Sequence, residues 1–208
     1  MYPGRFITFE GGEGSGKTTQ LVRLAADLKD KGFDVVQTRE PGGTPLGNDI
    51  RALLLNRAGG AEITPKTELL LYLASRAQHV SEVILPALKA GKIVLCDRFT
   101  DATLAYQGDG RRLPGDMVEV MTQFAASGLE PDLTLFLDVA VQTGLTRIKD
   151  RAEINRIDRE CLQFHEAVYA GYQRLAQAHP KRIVVIDASA AVDVVALKIR
   201  ERVHALLS

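Results

Sequence analysis

Apolar and polar positions along the chain alternate between two rhythms. Short runs rich in β-branched residues recur at Arg5–Glu10, Asp34–Thr38, Lys92–Asp97, Leu133–Val139 and Arg182–Asp187, and each reads as a strand. Between them the spacing becomes helical. Leu21, Leu24, Ala25 and Leu28 share one face of a helix over Lys17–Lys31, which Gly32 ends. Thr64-Pro65 is an N-cap followed by a first-turn proline, opening a helix through Leu69, Leu70, Leu73 and Ala77. A helical stretch closes at Gly91, and another fills the tail from Ala191 to Leu207. Five strands alternating with helices predict an α/β fold: a mostly parallel sheet covered on both faces. No repeat, low-complexity tract or linker interrupts the pattern, so residues 1–208 read as one domain.

Arg147–Arg159 breaks the rhythm, with five basic residues in thirteen. Taken alone, it reads as a solvated helix surface laced with charge pairs.

Composition narrows the function classes. Lys plus Arg and Asp plus Glu each number 26, so the chain lacks the basic excess that a nucleic-acid wrapper needs. No apolar run approaches the roughly 20 residues of a membrane span. Residues 1–5 also lack the basic-then-apolar plan of a signal peptide. Cys96 and Cys161 are too few and too far apart for a disulfide framework or a zinc site, and a reducing cytoplasm is the simplest location. His79, His165, His179 and His204 show no ligand spacing and are expected at surface or partly buried helix positions. Met117 and Met121, at helical spacing, are expected in a core or dimer face.

The strongest chemical signal is Gly11-Gly12-Glu13-Gly14-Ser15-Gly16-Lys17-Thr18, which satisfies G-x-x-x-x-G-K-[ST] between a strand and an amphipathic helix. Glycines let successive backbone N–H groups turn inward around an anion, and the following helix points its positive end at the same place. Lys17 is placed to reach the β- and γ-phosphates, and Thr18 to offer a hydroxyl to Mg²⁺. A glycine-rich turn that binds nothing is the alternative, and the strand–loop–helix setting argues against it. Asp97-Arg98-Phe99 stands at the carboxyl end of an apolar strand, the edge where open α/β sheets bind ligands. Asp97 is a candidate partner of the metal or its water, and Arg98 a candidate anion contact; an ion pair between neighbours is the bland reading. The guanine-reading string Asn-Lys-x-Asp and the switch string Asp-x-x-Gly do not occur, which argues against a GTPase.

In order along the chain stand Phe9-Glu10-Gly11, Thr38-Arg39-Glu40-Pro41-Gly42-Gly43-Thr44, Ser75-Arg76-Ala77-Gln78-His79, Asp97-Arg98-Phe99 and Ala105-Tyr106-Gln107-Gly108. This series resembles the bacterial thymidylate kinases, from about Phe6 to the C-terminal helix. The resemblance implies a P-loop nucleoside monophosphate kinase fold: a five-stranded parallel sheet, helices on both faces and a lid at about 147–159. It implies phosphorylation of dTMP to dTDP with ATP and Mg²⁺, on the way to dTTP. The implied protein is a cytoplasmic homodimer with no nucleic-acid polymer or membrane as partner.

It also implies roles. Arg98 and Arg51 hold the acceptor phosphate, which suits the planar guanidinium fork. Tyr72 stacks on the base where Phe is more usual, and Arg76 reaches a base carbonyl. Thr103 and Gln107 meet the base edge, Tyr106 packs on the deoxyribose, and Glu13 contacts the acceptor sugar. Lys17, Arg98 and two lid arginines, Arg151 first and Arg156 second, stabilise the transferring group. Asn155-Arg156-Ile157-Asp158 departs from the family's Asp-Arg followed by Ile or Phe and then Glu. Another small-nucleotide kinase is the runner-up, and a nucleotide-regulated binding protein is the outsider.

Overall fold

In the computed structural model, which describes residues 2–55, 63–149 and 154–207, five strands pair in one parallel sheet. They are β1 (Arg5–Glu10), β2 (Val35–Arg39), β3 (Ile93–Asp97), β4 (Leu133–Asp138) and β5 (Ile183–Asp187), in the order β2-β3-β1-β4-β5. Each lies within a residue of the run that predicts it. The helices are α1 (Lys17–Asp30), α2 (Pro45–Leu55), α3 (Pro65–His79), α4 (Leu85–Lys89), α5 (Thr100–Thr103), α6 (Gly115–Ala125), α7 (Val141–Ile148), α8 (Leu162–Ala178) and α9 (Val192–Leu207).

Both faces of the central strands are buried. Ile7, Phe9, Leu95, Leu135 and Leu137 pack against Leu21, Leu24 and Leu28 of α1 and Val195, Ile199 and Val203 of α9. On the other face, Phe6, Val94, Cys96 and Phe99 meet Val80, Ile84 and Leu88. Phe136 meets Tyr106, Phe164 and Tyr172. The alternation of Phe6, Ile7 and Phe9 across β1 is the period-two rule of a strand with two dry faces.

The ends of the helices follow local chemistry. Thr64 Oγ1 accepts the Thr67 N–H at 3.3 Å, and Pro65 fills the first turn of α3. Beyond His79 the backbone widens to π-type turns over Val80–Ile84 before α4 resumes at Leu85-Pro86, where proline has no N–H to give. A second wide-turned stretch, Leu104–Gly110, continues α5.

Two expectations need correction. The basic stretch is not one helical surface: its described parts are the end of α7 and non-helical turns over 154–160. His79 and His165 are buried, because both lie on inward faces of their helices, α3 and α8. Of the two methionines of α6, Met121 packs beside Leu69, Leu73 and Val118, as a core position does, and Met117 is exposed.

Register fixes the site. Phe9 lies opposite both Asp97 and Leu135, so β1 and β3 end side by side, and the P-loop and Asp97-Arg98-Phe99 leave the sheet at one point.

Candidate active site

The P-loop closes around its own lysine. Gly11, Gly14 and Gly16 have φ of 138°, 69° and 90°, which side-chain-bearing residues rarely adopt. Lys17 Nζ donates to the carbonyls of Gly11 (3.0 Å) and Gly12 (2.8 Å) and to Ser15 Oγ (3.2 Å). Burial, and then the nearby Arg98 charge, pull its pKa down to about 8. Behind the loop, backbone meets backbone: a methyl on Gly14 would lie 2.1 Å from the Gly144 carbonyl oxygen, and one on Gly144 2.2 Å from that of Glu13. Arg147, from the end of α7, donates to the Ala188 carbonyl at 3.2 Å.

Thr18 Oγ1 donates to Asp97 Oδ2 at 2.7 Å. A hydroxyl and a carboxylate are hard oxygen donors of the kind Mg²⁺ takes, and among the described residues no cluster of three or more His, Cys, Asp or Glu forms a metal cage. This sparse donor set fits a cation whose remaining ligands are phosphate and water oxygens.

Arg98 is the hub of the second region. Its φ is 72°, a left-handed backbone that aims the side chain back across the end of β1. Nη1 donates to the Gly11 carbonyl (3.0 Å) and to the Tyr172 oxygen (3.2 Å), and Nη2 to Glu13 Oε1 (2.6 Å). The guanidinium also lies 4.7 Å from the centre of the Tyr106 ring. Tyr106 donates its hydroxyl to the same Glu13 oxygen at 2.8 Å. Burial pushes the Glu13 carboxyl upward, but Arg98, Lys17 and the Tyr106 hydroxyl outweigh it and hold the pKa down to about 2.

Two chambers open here. One is walled by Tyr72, Arg76, Thr103, Tyr106 and Gln107. The wider one runs along the P-loop from Gly14 to Thr18, past Asp97. Glu13, Glu40, Arg51, Arg98 and Asn155 line both, so the chambers meet at a wall bearing two arginines. Arg51 donates to the Pro41 carbonyl at 3.0 Å.

Arg76 is buried, donating Nε to Glu40 Oε2 (2.8 Å) and Nη2 to the Phe99 carbonyl (2.9 Å). Its buried Nη1 has no hydrogen-bond partner among the described residues, a donor kept dry in the wall of the smaller chamber. Burial raises the Tyr72 hydroxyl to about 12, so the ring presents a neutral face.

The structure therefore gathers Gly14, Ser15, Gly16, Lys17, Thr18 and Asp97 in one chamber and Tyr72, Arg76, Thr103, Tyr106 and Gln107 in the other. Glu13, Arg51 and Arg98 lie between them, while Gly11 and Gly12 form the start of the loop. Arg156 lines neither chamber. It donates to Glu68 Oε2 (2.5 Å) and to the Leu54 carbonyl (3.0 Å). Arg151 lies outside the described residues.

Several participants escape sequence reasoning. Glu40 accepts from Arg76 and meets His79 Nδ1 at 3.0 Å, and His79 Nε2 in turn meets Thr38 at 2.6 Å. Glu68 accepts from Gln107, Arg111 and Arg156. Glu10 and Tyr172 stand behind Arg98, and Asn155 lines both chambers. The one signal for Glu40 and His79 is their place in the family strings; Glu68, Tyr172 and Asn155 had none that pointed to a partner.

The sequence signature of the thymidylate kinase family matches residues 9–199. The thymidylate kinase of Pelobacter propionicus is 52% identical over 196 residues, covering 91% of this chain and 89% of its own length. That of Geobacter sulfurreducens is 50% identical, covering 95% of each. The crystal structure of thymidylate kinase from Ehrlichia chaffeensis superposes with a TM-score of 0.79 at 33% identity, over 96% of this chain and 98% of that one.

Proposed function

The chain belongs to the thymidylate kinase family, and from that membership we propose that it moves the γ-phosphoryl group of ATP to the phosphate of dTMP, giving ADP and dTDP. The observation that carries this reading is the shared wall: one chamber fits a polyphosphate, the other an aromatic base, and Arg51 and Arg98 stand where their anionic ends would meet. An oxygen of the dTMP phosphate attacks the γ-phosphorus in line, and the bond to the β–γ bridging oxygen breaks. A phosphate oxygen is already an anionic nucleophile, so no general base is assigned.

The protein's work is positioning and charge. P-loop amides and Lys17 cradle the β- and γ-phosphates, while Arg98 and Arg51 hold the acceptor phosphate. Tyr72 stacks on the base, the free Arg76 donor meets a base carbonyl, and Thr103 and Gln107 meet its edge. Tyr106 packs on the deoxyribose, and Glu13 faces the sugar. Thr18 and Asp97 would hold Mg²⁺, which when bound neutralises phosphate charge. The lid, at about 147–159, is assigned to close over the phosphates, exclude water and bring Arg151 to the transferring group; Arg156 would join it by giving up its bonds to Glu68 and the Leu54 carbonyl.

The whole chain acts as one catalytic domain, at work in the cytoplasm on the route to dTTP. Among the described residues no helix is long and apolar enough to cross a membrane. A homodimer is supported by exposed Leu53, Leu70, Val120 and Phe124 on the adjoining helices α2, α3 and α6.

A coupled assay for ADP tests the reading. Turnover should depend strictly on added dTMP, with dUMP weaker by roughly 10- to 200-fold for its missing methyl and purine monophosphates nearly refused. Efficient turnover of AMP or GMP would overturn the base assignment, and dTMP-independent ADP release would favour a nucleotide-regulated binding protein.

A further inference from the structure

Glu10, at the last position of β1, is wholly buried and touches neither chamber. Both of its oxygens are nevertheless committed to Arg98, from opposite ends. Oε1 accepts the N–H of Phe99 at 2.7 Å, fixing the peptide that follows the left-handed turn at Arg98. Oε2 accepts the hydroxyl of Tyr172 at 2.7 Å. The Tyr172 oxygen in turn accepts from Arg98 Nη1. The same carboxyl thus holds the backbone directly and the guanidinium through one phenol.

The phenol is itself fixed. Its ring stacks on Phe136 with centroids 5.2 Å apart and planes at 18°, and meets the Tyr106 ring edge-on at 6.3 Å. Three of the five guanidinium hydrogens of Arg98 are engaged, by Gly11, Tyr172 and Glu13. The hydrogens left over, on Nε and Nη2, are the ones a phosphate can take, and their direction is set by the three that are held.

We propose that Glu10 and Tyr172 are positioning residues that aim Arg98 at the acceptor phosphate, clamping its backbone and its guanidinium from a single buried carboxyl. This rests on the assignment of Arg98 to that phosphate.

Tyr172→Phe keeps the stacked ring and removes only the hydroxyl; Glu10→Gln keeps the volume and reverses one donor. Equilibrium binding of dTMP and of thymidine, which lacks the phosphate, is measured for wild type and both variants, with the KM for ATP alongside. The wild type must prefer dTMP over thymidine, and if it does not, the kinase reading itself falls. Given that preference, each folded variant should weaken dTMP binding about tenfold, as expected for a lost hydrogen bond to a charged group, with thymidine binding and the ATP KM within twofold.

A merely structural role would weaken both ligands together. Parallel loss of thymidine and dTMP, or no loss of either, overturns the proposal. So does full multiplicativity of Tyr172→Phe with Arg98→Lys, because residues acting through one another do not add.

Discussion

Arg98 carries a side chain through a backbone region that favours glycine, and partly buried hydrogen bonds to Gly11, Tyr172 and Glu13 hold it there. Arg98→Lys keeps the charge but cannot reproduce a planar fork. It should raise the KM for dTMP by about 10- to 100-fold, the cost of one charge-assisted hydrogen bond, with the ATP KM little changed in steady-state assays. Arg151 is tested separately: Arg151→Ala should lower kcat at saturating substrates on the order of 10³-fold, and a near wild-type kcat would remove it from the mechanism. At this scale, legibility depended on adjacency. Lys17, Thr18, Asp97 and Arg98 stand inside or beside short contiguous strings, so their chemistry could be read directly. Glu40, His79 and Glu10 are buried polar residues whose partners lie 36 to 162 positions away, so spacing along the chain is silent about them.

At the scale of elements, Glu68 in α3 joins three parts of the chain. It is wholly buried and accepts from Gln107 in the wide-turned stretch, from Arg111 beyond it and from Arg156 in the 154–160 turn. Glu160 adds a second carboxylate on Arg111 at 2.6 Å. Glu68→Ala leaves two arginines short of their counter-charge and should cost about 3–5 kcal/mol in denaturant unfolding, far more than loss of a surface pair. The strands were legible because two dry faces demand unbroken apolar runs. The 147–159 stretch misled because its charges read as a solvated helix face, whereas Arg156 is spent on a buried acid and a backbone carbonyl. Nothing in its composition distinguishes the two uses.

For the molecule as a whole, two expectations concern association and acid. The exposed apolar residues Val120 and Phe124 on α6 would lie in a dimer interface, so Val120→Asp with Phe124→Asp should halve the mass seen by light scattering without unfolding the chain. A monomeric wild type would remove the dimer from the proposal. Glu13 ionises in the folded protein at about 2 against an ordinary 4.5, so its contribution is fully present above pH 4.5 and is lost as pH falls toward 2. That contribution is about 3 kcal/mol, and urea midpoints of wild type and Glu13→Gln should converge as acid is added. Glu10, raised to about 8 by burial and Asp101, acts with the opposite sign: its contribution declines as pH rises from 4.5 to 8. The sheet's membership could be counted from the sequence, but its order could not, because β2-β3-β1-β4-β5 depends on which faces the intervening helices cover.

The meeting of Gly14 with Gly144 has an evolutionary consequence. A methyl on Gly14 runs into the Gly144 carbonyl, and one on Gly144 into the Glu13 carbonyl that precedes Gly14, so neither position has room for a side chain. Neither can drift alone, and a substitution at one becomes tolerable only after the phosphate loop and the first turn of α7 have separated. A saturation library should therefore find both sites intolerant singly and show strong epistasis between them, tying the ancestry of two segments 130 residues apart.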